Sequence, residues 1–188
     1  QKDGIYTLSL HPMFGPDAKT IKGKNVLVIP VSIKPEILDF ILKPFKESGA
    51  NIVFVKDAET HDKFIALTLA LPHFLNIVFG GLLSSLNIDI NQIKKFGGTT
   101  FTLQLLLAEA VLQSDPDLYA SIQVNNKLFD PVLESLVEHV ERLRNTVLTG
   151  DKDAFIEFFE KAKNYLVKDP EFKDAYKKLY LAVEAFLD

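Results

Sequence analysis

The stretch Ser9-Leu10-His11-Pro12-Met13-Phe14-Gly15-Pro16-Asp17 decides how the rest of this chain reads. It closes an alternating run, Ile5 to Leu10, of strand character. Pro12 pushes His11 to extended geometry and fixes its own φ, and Gly15-Pro16 turns the chain sharply. The expected result is an imidazole held at the mouth of a sheet by a stiff loop, a placement that suits a general base.

Outward from there, Asn25 to Val31 is a second short apolar run bounded by turn residues, and Asn51 to Lys56 is a third. The runs at 5–10 and 25–31 both suit buried strands. Between them, Asp17 to Lys24 is polar, carries Gly23 and reads as a loop. Pro35 opens a helix in which Ile37, Leu38, Ile41, Leu42 and Phe45 recur at helical spacing before Ser48-Gly49. Pro44 inside it is expected to kink it or end it early. Strand, helix and strand at this spacing make one βαβ unit with a parallel pair.

Beyond Ala58 the strand signal stops. Thr60 reads as the cap of a helix that stays largely apolar from Phe64 to Leu83. That length raises the transmembrane question. Thr68, His73 and Asn76, with Pro72 and Gly80-Gly81 as breakers, point instead to a helix buried in a core or a subunit interface. Asp115-Pro116, Asp130-Pro131 and Asp169-Pro170 each set an N-cap acceptor before a proline at the first helical position. A kink in one long helix is the alternative at Asp130-Pro131. Three apolar stripes have helical period: Val132 to Val147, Phe155 to Leu166, and Phe172 to Phe186. Their aromatics read as core packing without a cofactor role.

Composition narrows the function classes. A chain of 188 residues, 47% hydrophobic and 24% charged, is globular. Its net charge of −4 gives no electrostatic footprint for nucleic acid or an anionic membrane. With no cysteine, neither disulfides nor thiolate chemistry arise, and a reducing cytoplasm fits. The chain opens with Gln1 and its single methionine is Met13, so it reads as the remainder of a longer protein.

Four blocks, His11-Pro12-Met13-Phe14-Gly15-Pro16, Thr60-His61-Asp62, Leu71-Pro72-His73-Phe74 and Asp115 to Ile122, resemble the prephenate dehydrogenases of tyrosine biosynthesis in order and spacing. The resemblance covers nearly the whole chain. It implies an α/β remnant over residues 1–57, one βαβ unit plus an extra strand from the end of a Rossmann-like domain. An all-α helical dimerisation and substrate-binding domain is then expected over residues 58–188. The implied activity is NAD(P)-dependent oxidative decarboxylation of prephenate to 4-hydroxyphenylpyruvate by a cytoplasmic homodimer, with no nucleic-acid or membrane partner. The alternatives are an arogenate dehydrogenase and a non-catalytic helical dimerisation or regulatory module.

The resemblance also assigns residues. His11 matches the base that accepts the ring hydroxyl proton, and His73 matches a second active-site histidine that holds substrate. His61 lies twelve residues before His73, roughly 18 Å and about 120° away on a straight helix, so the pair cannot share a metal from one helix face. His61-Asp62 either binds near the substrate or caps and orients. Asp17 matches an acidic or polar loop position, and His139 reads as surface. The family's substrate-clamping arginine positions fall here on Ala110 and Thr102, and only Arg142 and Arg144 are arginines. Thr102 and Gln104 are therefore candidate substrate contacts, with Lys94, Lys95, Thr99 and Thr100 nearby; a lysine lacks the planar guanidinium fork. No Gly-x-Gly-x-x-Gly joins a strand to a helix. NAD or NADP is thus expected to be bound mainly by an N-terminal domain absent from this chain, leaving it inactive alone, and no metal site is expected.

Overall fold

The computed structural model describes residues 5–185, which divide into two compact units with the boundary between Phe64 and Ile65. In the first unit, β1 (Thr7–Pro12), β2 (Asn25–Ser32) and β3 (Asn51–Phe54) form a sheet in that order. β1 runs antiparallel to β2, and β2 parallel to β3 through α1 (Pro35–Glu47), giving the expected βαβ unit and extra strand. Val26 and Val28 of β2 are fully buried with Leu42 of α1, and Leu10, Phe14, Leu38 and Ile52 pack around them. The sheet thus has one covered face built from period-2 residues.

Two expectations for this unit are corrected. β1 is an edge strand, half exposed rather than buried, and it continues through His11 and Pro12, which pair with Leu27 and Val26. Proline survives there because the backbone N–H of the next residue, Met13, donates to the Asn25 carbonyl at 2.9 Å. By alternation, the donor that Pro12 lacks would point away from the sheet. Pro44 does not end α1 either. The donor it removes is the one that would meet the carbonyl of Phe40, an exposed residue. The helix stops at Ser48, and Gly49 takes φ +78°, as a helix-ending glycine does.

Residues Ala58–Ser85 are helical throughout, as α2 (Ala58–Ile65), a π-helical turn (Ala66–Ala70) and α3 (Leu71–Ser85). Asp57, not Thr60, caps the start: its carboxylate accepts from the Thr60 N–H at 2.8 Å. Pro72 and Gly80-Gly81 do not break the helix. Pro72 carries no N–H, and the wider turn before it, in which the Leu71 N–H donates to the Ala66 carbonyl, takes up the misfit. A Cβ at Gly80 would meet Leu112 Cδ1 at 2.5 Å, so this glycine marks a close approach of α3 to α5 (Thr99–Leu112).

One core cluster of the second unit is Ala66, Ala70 and Phe129, with Leu71, Phe74, Ile122, Val132 and Leu133 around it; Leu105, Ala108 and Val111 of α5 are also buried. Small residues inside the π turn let the Phe129 ring come close. After α4 (Ile90–Lys95) and α5, Asp115 caps α6 (Pro116–Val124) as expected, accepting from the Asp117 N–H at 3.0 Å. At Asp130-Pro131 the cap falls earlier: Asn126 starts a 3₁₀ turn (Lys127–Phe129) that leads directly into α7 (Asp130–Thr149). Asp169 closes a local turn onto the Glu171 N–H at 2.9 Å. The regular helix α9 (Ala175–Glu184) begins only after a second 3₁₀ turn at Phe172–Asp174.

Burial corrects the reading of the apolar helices. Leu67, Leu75, Val78 and Leu82 are exposed, so the chain does not bury the Phe64–Leu83 stretch in its own core. By length and composition alone, Ala58–Ser85 could cross a membrane. Val137, Val140 and Val147 of α7, Phe155 and Phe159 of α8 (Lys152–Leu166), and Tyr176 and Tyr180 of α9 are likewise exposed rather than core. Phe186 lies outside the described residues.

Candidate active site

β1 and α2 bring two of the expected histidines together within the first unit. His11 Nδ1 lies 2.9 Å from His61 Nε2, and His61 Nδ1 lies 2.8 Å from Asp62 Oδ1. The two rings are 5.1 Å apart, tilted by 52°. A carboxylate only accepts, so Asp62 takes the Nδ1–H of His61. His61 Nε2 then keeps its lone pair and accepts the Nδ1–H of His11. His11 Nε2 is left as the nitrogen able to take a proton. Partial burial, and secondarily the neighbouring His61, hold His11 below the ordinary imidazole pKa. A ring so poised is neutral at neutral pH, as a base must be.

The arrangement also corrects the placement of His11: it stands on the last turn of pleat of β1, paired across to Leu27, and not on a loop beyond the strand. Gly15 begins a turn closed by the Ala18 N–H on the Gly15 carbonyl at 3.2 Å, with Pro16 at its second position. Asp17 is exposed on that turn.

His73 belongs to the second unit. Its ring packs edge-on against Tyr119 of α6, centroids 4.6 Å apart. It is half-buried, which lowers its pKa, and its Nδ1 is buried without a hydrogen-bond partner. The straight helix assumed between His61 and His73 is replaced by the π turn at Ala66–Ala70.

Gln104 donates from Nε2 to Asn76 Oδ1 at 2.8 Å, and Asn76 Nδ2 donates to the Pro72 carbonyl at 2.9 Å. This pair ties α5 to α3 beside the π turn. The Thr102 hydroxyl donates to the Gly98 carbonyl at 3.1 Å. Thr102 also lines a cleft with Lys94, Phe101, Leu105, Leu106 and Glu109, so one cation and one carboxylate border it. His139 is exposed on α7, as expected, its Nδ1 2.7 Å from the Ser135 carbonyl. Among the described residues, no cluster of three or more metal-ligating side chains occurs. Sequence reasoning missed the Asn76–Gln104 tie and the Tyr119 ring against His73. A polar residue in so apolar a helix was the available signal for Asn76.

Comparison with known proteins gives a consistent picture. The model of the prephenate dehydrogenase dimerization domain matches residues 57–161. A probable arogenate/prephenate dehydrogenase of Methanocaldococcus jannaschii is 26% identical over 167 residues, covering 87% of this chain and 37% of that protein. The crystal structure of prephenate dehydrogenase from Aquifex aeolicus superposes with a TM-score of 0.66 at 17% identity, over 86% of this chain and 59% of that one. The same enzyme in complex with hydroxyphenyl propionate and NAD⁺ gives 0.61 at 17% identity, over 78% and 50%. At these identities the structural likeness concerns the fold. The chain spans less than two thirds of the length of each of these relatives.

Proposed function

The chain belongs to the prephenate dehydrogenase family, and on that premise we propose that it supplies the base and the dimer-forming surface of an enzyme that oxidatively decarboxylates prephenate to 4-hydroxyphenylpyruvate. The observation that carries this reading is the His11–His61–Asp62 chain. His11 Nε2 accepts the ring hydroxyl proton. As positive charge builds on His11, its Nδ1–H bond to His61 strengthens, and Asp62 steadies any charge shared with His61. His61 is thus a positioning residue rather than a direct substrate contact. His73 holds substrate from the helical unit; its buried, unpartnered Nδ1 supports that role.

A substrate carboxylate needs a cation, and with Ala110 and Thr102 in place of guanidinium groups the available one is Lys94, across a shared cleft from Thr102. Gln104 contributes indirectly, by holding Asn76. Glu109 in the same cleft favours a second reading, arogenate, whose ammonium group that carboxylate would pair.

The described residues do not fit a dinucleotide seat: β2 passes to α1 through Ile33, Lys34 and Pro35 without a glycine. NAD or NADP is held by other parts of the enzyme, and this chain's share of the chemistry is the proton side. The exposed face Leu67, Leu75, Val78 and Leu82 is covered by a second copy in a cytoplasmic homodimer, rather than by a bilayer or nucleic acid.

The test is to assay the intact protein with prephenate and arogenate, each with NAD and NADP. His11→Asn is expected to lower kcat by a factor of ~10²–10⁴ while KM for the ring substrate stays within a few-fold. Unchanged turnover in that variant overturns the assignment.

A further inference from the structure

Among the described residues of α3, only the polar Asn76 is buried. Its Nδ2 donates to the Pro72 carbonyl at 2.9 Å, and its Oδ1 accepts from Gln104 Nε2 of α5 at 2.8 Å. The Pro72 carbonyl does not require that donor, because in an α-helix it already accepts from the N–H four residues on. Backbone satisfaction therefore does not account for a buried amide here, and a leucine would fill the space without desolvating polar atoms. What the amide adds is direction. The sequence around it in α3 and α5 is apolar, and apolar contact alone leaves two helices free to slide or turn against each other, whereas one buried polar pair selects a single register.

We propose that Asn76 is a positioning residue for His73, and that with Gln104 it fixes the rotation of α3 against α5 that aims the His73 ring at substrate. The peptide unit whose carbonyl Asn76 grips is the one that joins Pro72 to His73, so the hold falls directly on the backbone carrying the imidazole. His73 stands three residues before Asn76, which puts both on one face of α3. His73 Nδ1 has no hydrogen-bond partner among the described residues, and the ring meets Tyr119 only edge-on, centroids 4.6 Å apart. The aim of the ring thus depends on the backbone beneath it. This inference rests on the reading of His73 as a substrate contact.

The experiment measures KM and kcat for the ring substrate in the intact protein carrying His73→Ala, Asn76→Leu, or both. Each single variant is expected to raise KM about tenfold, with kcat lowered less than about threefold. The double variant is expected to match His73→Ala alone, because nothing remains for Asn76 to position. Gln104→Leu, which removes only the anchor on α5, takes the place of Asn76→Leu if that variant does not fold, and is held to the same outcomes. A rise in KM that adds in full to that of His73→Ala overturns the proposal, as does a folded Asn76→Leu variant with unchanged KM. Unchanged KM in His73→Ala overturns the reading of His73 as a substrate contact and removes this proposal with it.

Discussion

An imidazole can serve as a base only if one ring nitrogen keeps its lone pair, and Asp62, through the ring of His61, leaves Nε2 of His11 in that state for the proposed role. The two rings also oppose each other's charge, a cause secondary to burial in keeping His11 below its ordinary pKa. His61→Asn keeps an acceptor for the His11 Nδ1–H and removes the neighbouring imidazole. In the intact enzyme we expect kcat to fall about tenfold. The acid limb of kcat/KM should move up toward the ordinary imidazole value, about 6.5, since burial alone then lowers His11. A limb that stays in place removes His61 from the proton path. His11 and His61 were each legible as candidates, but their meeting was not. They lie fifty residues apart, and their contact depends on the pairing of His11 with Leu27 and on where α2 begins.

At the scale of elements, the π turn is held by what packs on it. Phe129 is 1% exposed and rests against Ala66 and Ala70, whose side chains are too small to fill the space alone. Phe129→Ala should therefore cost about 3–5 kcal/mol, read as a lower denaturation midpoint with an unchanged slope. A cost under ~1 kcal/mol would mean that the turn stands without that ring. The βαβ unit and the Asp115 cap were readable because local chemistry settles them. The early end expected at Pro44 and the breaks expected at Pro72 and Gly80-Gly81 failed for one shared reason. Each is a breaker in isolation, and its surroundings accommodate it: the exposed residue Phe40 at Pro44, a wider turn before Pro72, the close-lying Leu112 at Gly80. Apolar period marks which face of a helix seeks cover and leaves open what covers it, which is why the stripes from Val132 to Tyr180 were taken for core.

For the whole molecule, the exposed apolar face of the helical unit is the surface on which the proposed dimer rests. Leu82 is 57% exposed in the single chain, so Leu82→Lys should leave each subunit folded. Within the proposed dimer the same change buries an unpaired charge in an apolar surface. Sedimentation at micromolar concentration is expected to show a dimer for the wild type and predominantly monomer for Leu82→Lys, with the helical circular dichroism retained. A wild-type monomer would refute the assembly.

The proline at the end of β1 has a bearing on the sheet's exterior. Its ring sits in the outward row, where an incoming segment would look for a donor, and finds none. That flank resists stacking of one molecule on the next, and lengthening of the sheet by a further strand is steered to the opposite flank, alongside Asn51–Phe54.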